Sequence, residues 1–252
     1  RLKSAPMRYE SPKTTKEAVT LLSKEKGKAY VLAGGTDLLV RLRMDMIDPD
    51  LMIDIKRIPA MNEINKTATG FKIGAAVSGR QLGASKALIK AWPGVVEATN
   101  LIGSDQIQGR CTMVGNLCNA SPAADSVPAM IAAGAKAVVV GKAKRRTVAV
   151  ENIVTGPGQT SLAKGEIIEA ITLPKRPAKS GDAHLRFIPR TEMDIAVVGV
   201  AVSLTCKRGV IDSARVSLGA VAPTPLLVKE AAAAIIGTKL DQEALENQIG
   251  RA

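Results

Sequence analysis

Residues 31–39 read Val31-Leu32-Ala33-Gly34-Gly35-Thr36-Asp37-Leu38-Leu39, and the architecture of the N-terminal region follows from them. Residues 28–33 form an apolar run that predicts a buried strand, and the run 38–43 directly after the glycine pair predicts a helix. Glycines at such a junction let backbone N–H groups approach an anion closely, and the start of a helix adds partial positive charge. The junction therefore indicates either an anion-binding loop or a tight turn.

A second loop of small and polar residues lies further along the chain. Residues 112–116 read Thr-Met-Val-Gly-Asn, and Asn119, Ser121 and Asp125 follow closely. A plain core does not require so many polar side chains together; the alternative is a loop that satisfies its own backbone through Asx-type turns. Two glycine-assisted loops favour a dinucleotide, which offers two phosphates and a ribose. The motifs G-x-G-x-x-G and G-x-x-x-x-G-K-[ST] are both missing from the sequence.

Composition narrows the function classes. The 252 residues carry 35 Lys+Arg against 23 Asp+Glu, a net charge of +12, but only 1 Trp, 2 Tyr and 2 Phe. Proteins that bind single-stranded nucleic acid need aromatic rings on which bases stack, so this composition disfavours a nucleic-acid-binding function. With so few rings, a cofactor site cannot depend on stacking either. The best apolar run, residues 195–204, is too short for a membrane span, and no signal-peptide pattern is present.

The thiols and the single histidine restrict the possible chemistry. Cys111, Cys118 and Cys206 include no C-x-x-C pair, which argues against a disulfide framework, a zinc ribbon or an iron–sulfur site. Reduced thiols predict a cytoplasmic protein, and we interpret Cys111 and Cys118 as packing residues. We expect His184 to face solvent or a partner rather than to be catalytic.

Hydrophobic periodicity predicts a mixed α and β structure. Thr14 to Glu17 has the pattern of a capping box before a helix. Residues 142–146 are basic and predict a hairpin turn in solvent, and residues 175–182 predict a linker. The other expected elements are strands at 51–55, 71–75, 135–140, 167–173, 195–205 and 213–221, and helices at 80–90, 123–133 and 230–236.

These motifs resemble the FAD-binding (medium) subunit of the molybdenum hydroxylases, the group of carbon monoxide dehydrogenase and xanthine dehydrogenase. The resemblance covers nearly the whole chain in order. Besides the two glycine loops it rests on Tyr9-x-x-Pro12, Ile53-Asp54-Ile55, residues 155–160, Glu166-Ile167-Ile168, and Arg190 with Asp194-Ile195-Ala196.

The resemblance implies a mixed α/β and α+β fold. A vanillyl-alcohol-oxidase (PCMH)-type FAD-binding domain in two parts would precede a small C-terminal α+β domain with an antiparallel sheet. We expect the FAD-binding domain over residues 1–176, with parts at about 1–57 and 58–176, and the C-terminal domain over residues 182–252. The family's C-terminal domain runs on for some tens of residues, so we expect this one to be incomplete.

The resemblance also implies a set of FAD-binding residues. The two loops would hold the pyrophosphate, Ile102 and Ile168 would bracket adenine, Asp125 would contact the ribose and adenosine end, and Arg186 would reach the flavin. The full implied set is Val31, Leu32, Ala33, Gly34, Gly35, Thr36, Asp37, Leu38, Ile102, Thr112, Val114, Gly115, Asn116, Asn119, Ser121, Asp125, Ile168 and Arg186. We expect no catalytic acid, base or nucleophile and no metal ligand in this chain.

Three positions depart from the family's pattern. Val114 replaces the first glycine of T-x-G-G-N, and valine cannot adopt a positive φ cheaply. Either the backbone is ordinary there, or the phosphate binds slightly differently. Arg186 stands where Lys is usual, which keeps the charge but changes the donor geometry. Gln108 stands where the family commonly has Arg.

The implied function is that of an oxidoreductase subunit. Electrons would pass from partner [2Fe–2S] clusters through FAD to NAD, a quinone or another acceptor, while a molybdenum cofactor on a further partner oxidises the substrate. The expected partners are an iron–sulfur small subunit and a molybdenum large subunit, arranged as a dimer of heterotrimers in the cytoplasm. Two alternatives remain open: a stand-alone flavin-dependent oxidoreductase of the enolpyruvyl-UDP-sugar reductase type, and a basic nucleic-acid-binding protein.

Overall fold

The computed structural model describes residues 6–243 and 246, and it begins with a small parallel sheet of strand order β1-β3-β2. Neighbouring strands run parallel, so their carboxyl ends meet at one edge. The first glycine loop lies at this edge, directly after β2. The elements are β1 (Arg8–Glu10), α1 (Thr15–Lys24), β2 (Ala29–Leu32), α2 (Leu38–Arg43) and β3 (Leu51–Asp54).

Helix α1 begins where the sequence predicts. The Thr14 hydroxyl accepts a hydrogen bond from the Glu17 backbone N–H at 3.1 Å, which satisfies one free donor of the first turn. The Glu17 carboxylate, however, accepts from the Lys13 N–H at 3.0 Å. Only the threonine half of the expected capping box is therefore formed.

The second sheet is antiparallel and has strand order β4-β5-β10-β6-β7. A separate two-stranded hairpin, β8–β9, precedes its central strand β10. The strands are β4 (Ile64–Thr67), β5 (Gly70–Gly74), β6 (Lys136–Val140), β7 (Arg145–Ala149), β8 (Val154–Gly156), β9 (Gln159–Thr160) and β10 (Ile167–Pro174).

Six helices connect β5 to β6. The helix expected over residues 80–90 is in fact two helices, because Ser85 has an extended backbone and its side chain caps the second one. The helix expected over 123–133 begins only at Ser126. The helices are α3 (Gly79–Ala84), α4 (Lys86–Ala91), α5 (Pro93–Asn100), α6 (Asp105–Gln108), α7 (Met113–Asn119) and α8 (Ser126–Ala132).

The third sheet is antiparallel, with strand order β11-β12-β13-β14. Its first strand begins at Ser180, so the expected linker is shorter than predicted. Arg208 and Gly209 have φ angles of 53° and 80° and form the hairpin turn between its two longest strands. The elements are β11 (Ser180–Phe187), β12 (Val198–Lys207), β13 (Val210–Gly219), β14 (Leu226–Leu227) and α9 (Lys229–Ile235).

Trp92 and Gly94, at the start of α5, contact the segment before the third sheet and the sheet itself. Its indole N–H donates to the Pro174 carbonyl at 3.0 Å, and the Arg176 guanidinium lies 4.9 Å from the ring centroid. The Gly94 N–H donates to Asp182 Oδ2 at 2.9 Å. One hydrophobic core spans the first two sheets and their helices, and a smaller cluster lies under α9. Within residues 6–243, no helix has the length and apolar character needed to cross a membrane.

The basic run at residues 142–146 is only partly a turn. Arg145 and Arg146 belong to β7, where they pair with carboxylates of β10 and of the loop before it. Arg145 contacts Glu169 at 2.5 and 3.1 Å, and Arg146 contacts Glu166 at 2.7 and 3.0 Å. These two cations are neutralised within the chain, which the sequence did not indicate.

Candidate functional site

The two glycine loops line one cleft of about 490 Å³, a volume within the range of cofactor sites. The β8–β9 hairpin and the start of β10 complete its walls. The expected site residues that line the cleft are Val31, Ala33, Gly34, Gly35, Thr36, Asp37, Leu38, Ile102, Thr112, Val114, Gly115, Asn116, Asn119 and Ile168.

The loops meet at Gly34. A Cβ atom at this position would lie 2.0 Å from the Arg110 carbonyl oxygen and 3.0 Å from the Cys111 Cα, both backbone atoms just before the second loop. Only glycine permits this approach. Gly35 has a φ of +80°, in the left-handed region that favours glycine. The glycine pair therefore packs the first loop directly on the chain that leads into the second.

The first loop offers unused hydrogen-bond donors. In the described part of the chain, no hydrogen bond uses the backbone N–H groups of Gly34, Gly35, Thr36 or Asp37. The carbonyls of Gly35 and Asp37 accept bonds of 3.0 Å from α2, so the loop continues into the helix. Successive free N–H groups of this kind form a concave site for an anion.

The second loop is the capped start of α7. Thr112 Oγ1 accepts from the Gly115 N–H at 2.8 Å, and the Thr112 carbonyl accepts from the Asn116 N–H at 2.9 Å. The N–H groups of Met113 and Val114, in the first turn, have no acceptor within the helix. Val114 lies in this helix and its φ is not positive, so its backbone is ordinary. Its N–H is available without the strain that the sequence suggested.

This arrangement fits FAD. Free N–H groups on both loops can bind the oxygens of a diphosphate, because backbone N–H dipoles attract an anion without a positively charged side chain. The apolar side chains of Ile102 and Ile168 on the lining suit the faces of a heterocycle.

Family comparison agrees with this geometry. The family described as "FAD binding domain in molybdopterin dehydrogenase" matches residues 5–176. The chain belongs to this family. The family described as "CO dehydrogenase flavoprotein C-terminal domain" matches residues 183–252. The chain is thus an FAD-binding subunit of the molybdenum hydroxylase family, and the resemblance inferred from the motifs is confirmed.

Proteins similar to this chain are named as carbon monoxide dehydrogenase or xanthine dehydrogenase proteins. The carbon monoxide dehydrogenase medium chain of Afipia carboxidovorans is 32% identical over 97% of this chain and 84% of its own length. The putative xanthine dehydrogenase FAD-binding subunit of Escherichia coli K12 is 30% identical over 94% of this chain and 82% of its own length. A carbon monoxide dehydrogenase structure from Hydrogenophaga pseudoflava matches with a TM-score of 0.93 and 31% identity, covering 98% of this chain and 86% of that one. The expected fold class and oxidoreductase assignment are confirmed.

Four residues expected at the FAD site of this flavoprotein subunit lie outside the cleft lining. The Leu32 side chain is buried in the core. The Ser121 hydroxyl accepts from the Ala123 N–H at 3.3 Å, a local turn of the kind that polar loops form for themselves. Asp125 and Arg186 pair with each other at 3.0 Å.

The Asp125–Arg186 ion pair joins the start of α8 to strand β11. Burial raises the pKa of Asp125, and the Arg186 guanidinium opposes this increase. His184 lies two residues before Arg186 and is 5% exposed, so the expectation that it faces solvent or a partner is wrong. Burial and the nearby Arg186 lower the pKa of His184 to about 4, and the ring is neutral at pH 7.

Several residues that line the cleft are not in the FAD-binding set expected from the sequence. Gly158 belonged to the motif at residues 155–160, and it has a φ of +70° and donates its N–H to the Ala120 carbonyl at 2.9 Å. Tyr30 lies just before the first loop, and this position in the sequence was the available signal. The missed residues are Ala29, Tyr30, Arg41, Ile55, Cys111, Cys118, Gly158, Thr160, Leu162, Glu166 and Ile167.

The two cleft cysteines of the subunit are weak acids. Burial raises the pKa of Cys111 to about 11 and that of Cys118 to about 12. Both thiols are therefore protonated at neutral pH, and a protonated thiol is a poor nucleophile and metal ligand. This supports their interpretation as packing residues.

Proposed function

We propose that this chain is the electron-transfer subunit of a molybdenum-containing hydroxylase or dehydrogenase. The observation that carries the proposal is the cleft, where unused N–H groups of two loops fit a diphosphate in a chain whose family binds FAD. FAD held in this cleft would supply the chemistry of an electron carrier between partner [2Fe–2S] clusters and a terminal acceptor, which would be NAD, a quinone or another acceptor. The residues of the chain bind and orient the cofactor and supply no acid, base or nucleophile.

Within the cleft, the loops at residues 31–38 and 112–116 hold the diphosphate, and Ile102 and Ile168 bracket adenine. The proposal keeps Asp125 at the ribose and adenosine end and Arg186 at the flavin, as the family resemblance implies. In the structure the two side chains pair with each other at 3.0 Å, outside the cleft lining.

The proposal includes the domain division stated above, with an FAD-binding domain over residues 1–176, in parts near 1–57 and 58–176, and a C-terminal domain over 182–252. It is supported by the family matches to residues 5–176 and 183–252. The first two sheets fall within residues 8–54 and 64–174, inside the two proposed parts of the FAD-binding domain. The third sheet spans residues 180–227 and begins two residues before the proposed start of the C-terminal domain.

The proposed partners are an iron–sulfur small subunit and a molybdenum large subunit, in a cytoplasmic dimer of heterotrimers. Relatives named medium chains support a complex of several subunits. The net charge of +12 favours acidic partners through long-range attraction. Association should therefore weaken as salt rises, and association that is insensitive to salt would remove this part of the proposal.

Purification with its partners tests the proposal. The chain is expected to show the visible absorption of an oxidised flavin and to copurify with a chain that contains molybdenum. A colourless preparation that takes up no added FAD would overturn the assignment of the cleft. A yellow protein that reduces a substrate alone, without a molybdenum partner, would favour a stand-alone flavoenzyme instead.

A further inference from the structure

A cluster of three polar side chains lies against the first glycine loop. Lys56 Nζ donates to the Ala33 carbonyl at 3.0 Å and contacts Asp54 Oδ1 at 2.8 Å. The Tyr9 hydroxyl donates to the other carboxylate oxygen, Asp54 Oδ2, at 2.5 Å. Tyr9 is in β1, Asp54 ends β3, and Ala33 follows β2. The cluster therefore ties the carboxyl ends of all three parallel strands to the loop.

These contacts hold the Lys56 ammonium in one place. Asp54 is 6% exposed, and its Oδ1 also accepts from the Lys56 backbone N–H at 2.9 Å. Burial opposes the ionisation of Asp54, but the hydrogen bonds from Lys56 and Tyr9 outweigh it and lower the pKa of this carboxyl. Asn62 Nδ2 donates to the Lys56 carbonyl at 2.8 Å, which restrains the backbone of the lysine as well.

The contact with Ala33 determines where the next N–H points. In a trans peptide, the carbonyl of one residue and the N–H of the following residue point in opposite directions. The Ala33 carbonyl points to Lys56, which is outside the cleft lining, so the Gly34 N–H points away from Lys56. Gly34 itself lines the cleft, and in the described chain its N–H has no acceptor. A cation on the carbonyl also polarises the peptide and strengthens its N–H as a donor.

A loop of two adjacent glycines needs such a restraint. Gly34 and Gly35 have no Cβ and can adopt many backbone conformations, of which a diphosphate site requires one. An external hydrogen bond to the carbonyl selects among them before the ligand arrives, and this lowers the ordering cost of binding.

We propose that Lys56 is a positioning residue for the cofactor diphosphate: aligned by Asp54 and Tyr9, it holds the Ala33–Gly34 peptide so that the Gly34 N–H is directed into the cleft. The inference rests on the proposed assignment of the first loop to the diphosphate, and it names the side chain that orients that loop.

The test compares three full-length variants freed of flavin, and it needs no activity. Lys56→Met removes the ammonium, and Lys56→Arg keeps a cation that can reach the same carbonyl. Lys72→Met is the matched control, since Lys72 is 35% exposed against 30% for Lys56 and also pairs with a buried carboxylate, Glu169, at 3.2 Å. FAD affinity is measured by quenching of flavin fluorescence and ADP affinity by calorimetry, and thermal unfolding is followed for each variant.

Lys56→Met is expected to weaken FAD and ADP binding by the same factor, about ten-fold, the size of one hydrogen bond to a charged group. Lys56→Arg should restore most of the affinity, and Lys72→Met should leave it unchanged. Wild-type affinity in Lys56→Met, or a loss for FAD that is absent for ADP, would overturn the role of Lys56. A loss in Lys56→Met that Lys72→Met reproduces, with equal destabilisation of both, would also overturn it. Failure of the wild-type chain to bind FAD would instead overturn the proposed function.

Discussion

Replacing Gly34 by alanine tests whether the contact between the two loops builds the cofactor site. The added Cβ would lie 2.0 Å from the Arg110 carbonyl oxygen, whereas real Cβ atoms essentially never approach closer than 3.0 Å. The obstacle is backbone rather than a flexible side chain, so no rotamer change can relieve it. The loops must separate by about 1 Å, and the donors on them then move apart.

The magnitude follows from the cost of overpacking. Inserting a methyl group into a filled space typically costs about 1–3 kcal/mol. If the loops part to relieve the contact, FAD must draw them together again, and this cost appears in the binding free energy. We therefore expect Gly34→Ala to weaken FAD binding by about 5- to 150-fold.

Titration of the flavin-free chain with FAD measures this loss. Gly181→Ala is the matched control, because a Cβ there meets no atom within 4 Å. It should bind FAD as the wild type does. Binding by Gly34→Ala within two-fold of the wild type would show that the loop contact does not build the site. Equal losses in both variants would show a general effect of replacing glycine.

Three further outcomes are expected. Burial opposes ionisation of Glu169, but hydrogen bonds from Arg145 and other donors lower its pKa to about 2. The wild type should therefore be more stable than Glu169→Gln above about pH 5. Urea unfolding should show that about 2–3 kcal/mol of this difference in stability is lost as the pH falls from about 4.5 to 2. Arg186→Met should destabilise the chain by about 3 kcal/mol, because it leaves a buried carboxylate unpaired, and adding Asp125→Asn should recover part of this loss in the same assay. Cys111 should react with a thiol reagent at pH 8 far more slowly in the native chain than in urea, since burial raises its pKa to about 11.

The parts of the fold that the sequence predicts well are those with a local signal. The apolar runs before Gly34 and before Ile55 predict β2 and β3 to within one or two residues, because each ends at a turn or a glycine. The two glycine loops line one cleft as expected. Both inferences depend only on residues that are adjacent in the chain, and therefore on patterns that a sequence displays directly.

The other features of the fold and of the site depend on contacts between residues that are far apart in the sequence. The Asp125–Arg186 pair joins positions 61 residues apart, and Lys56 reaches a carbonyl 23 residues away. Neither side chain differs in its local sequence from a solvent-exposed charge. The burial of His184 has the same origin, since a polar residue in an alternating strand predicts exposure until the packing of α8 against the sheet is known.

The contrast between Gly34 and Val114 shows which positions of such a site depend on residue identity. A helical N–H can be supplied by any residue except proline, so valine at position 114 provides the same donor as the glycine usual in the family. At position 34 the requirement concerns space: the carbonyl of Arg110 occupies the volume that any Cβ would need. A site built from backbone donors therefore tolerates substitution where only φ and ψ matter, and excludes it where two chains touch. Valine at position 114 therefore leaves the diphosphate site intact, whereas a side chain as small as that of alanine at position 34 separates the two loops that form it.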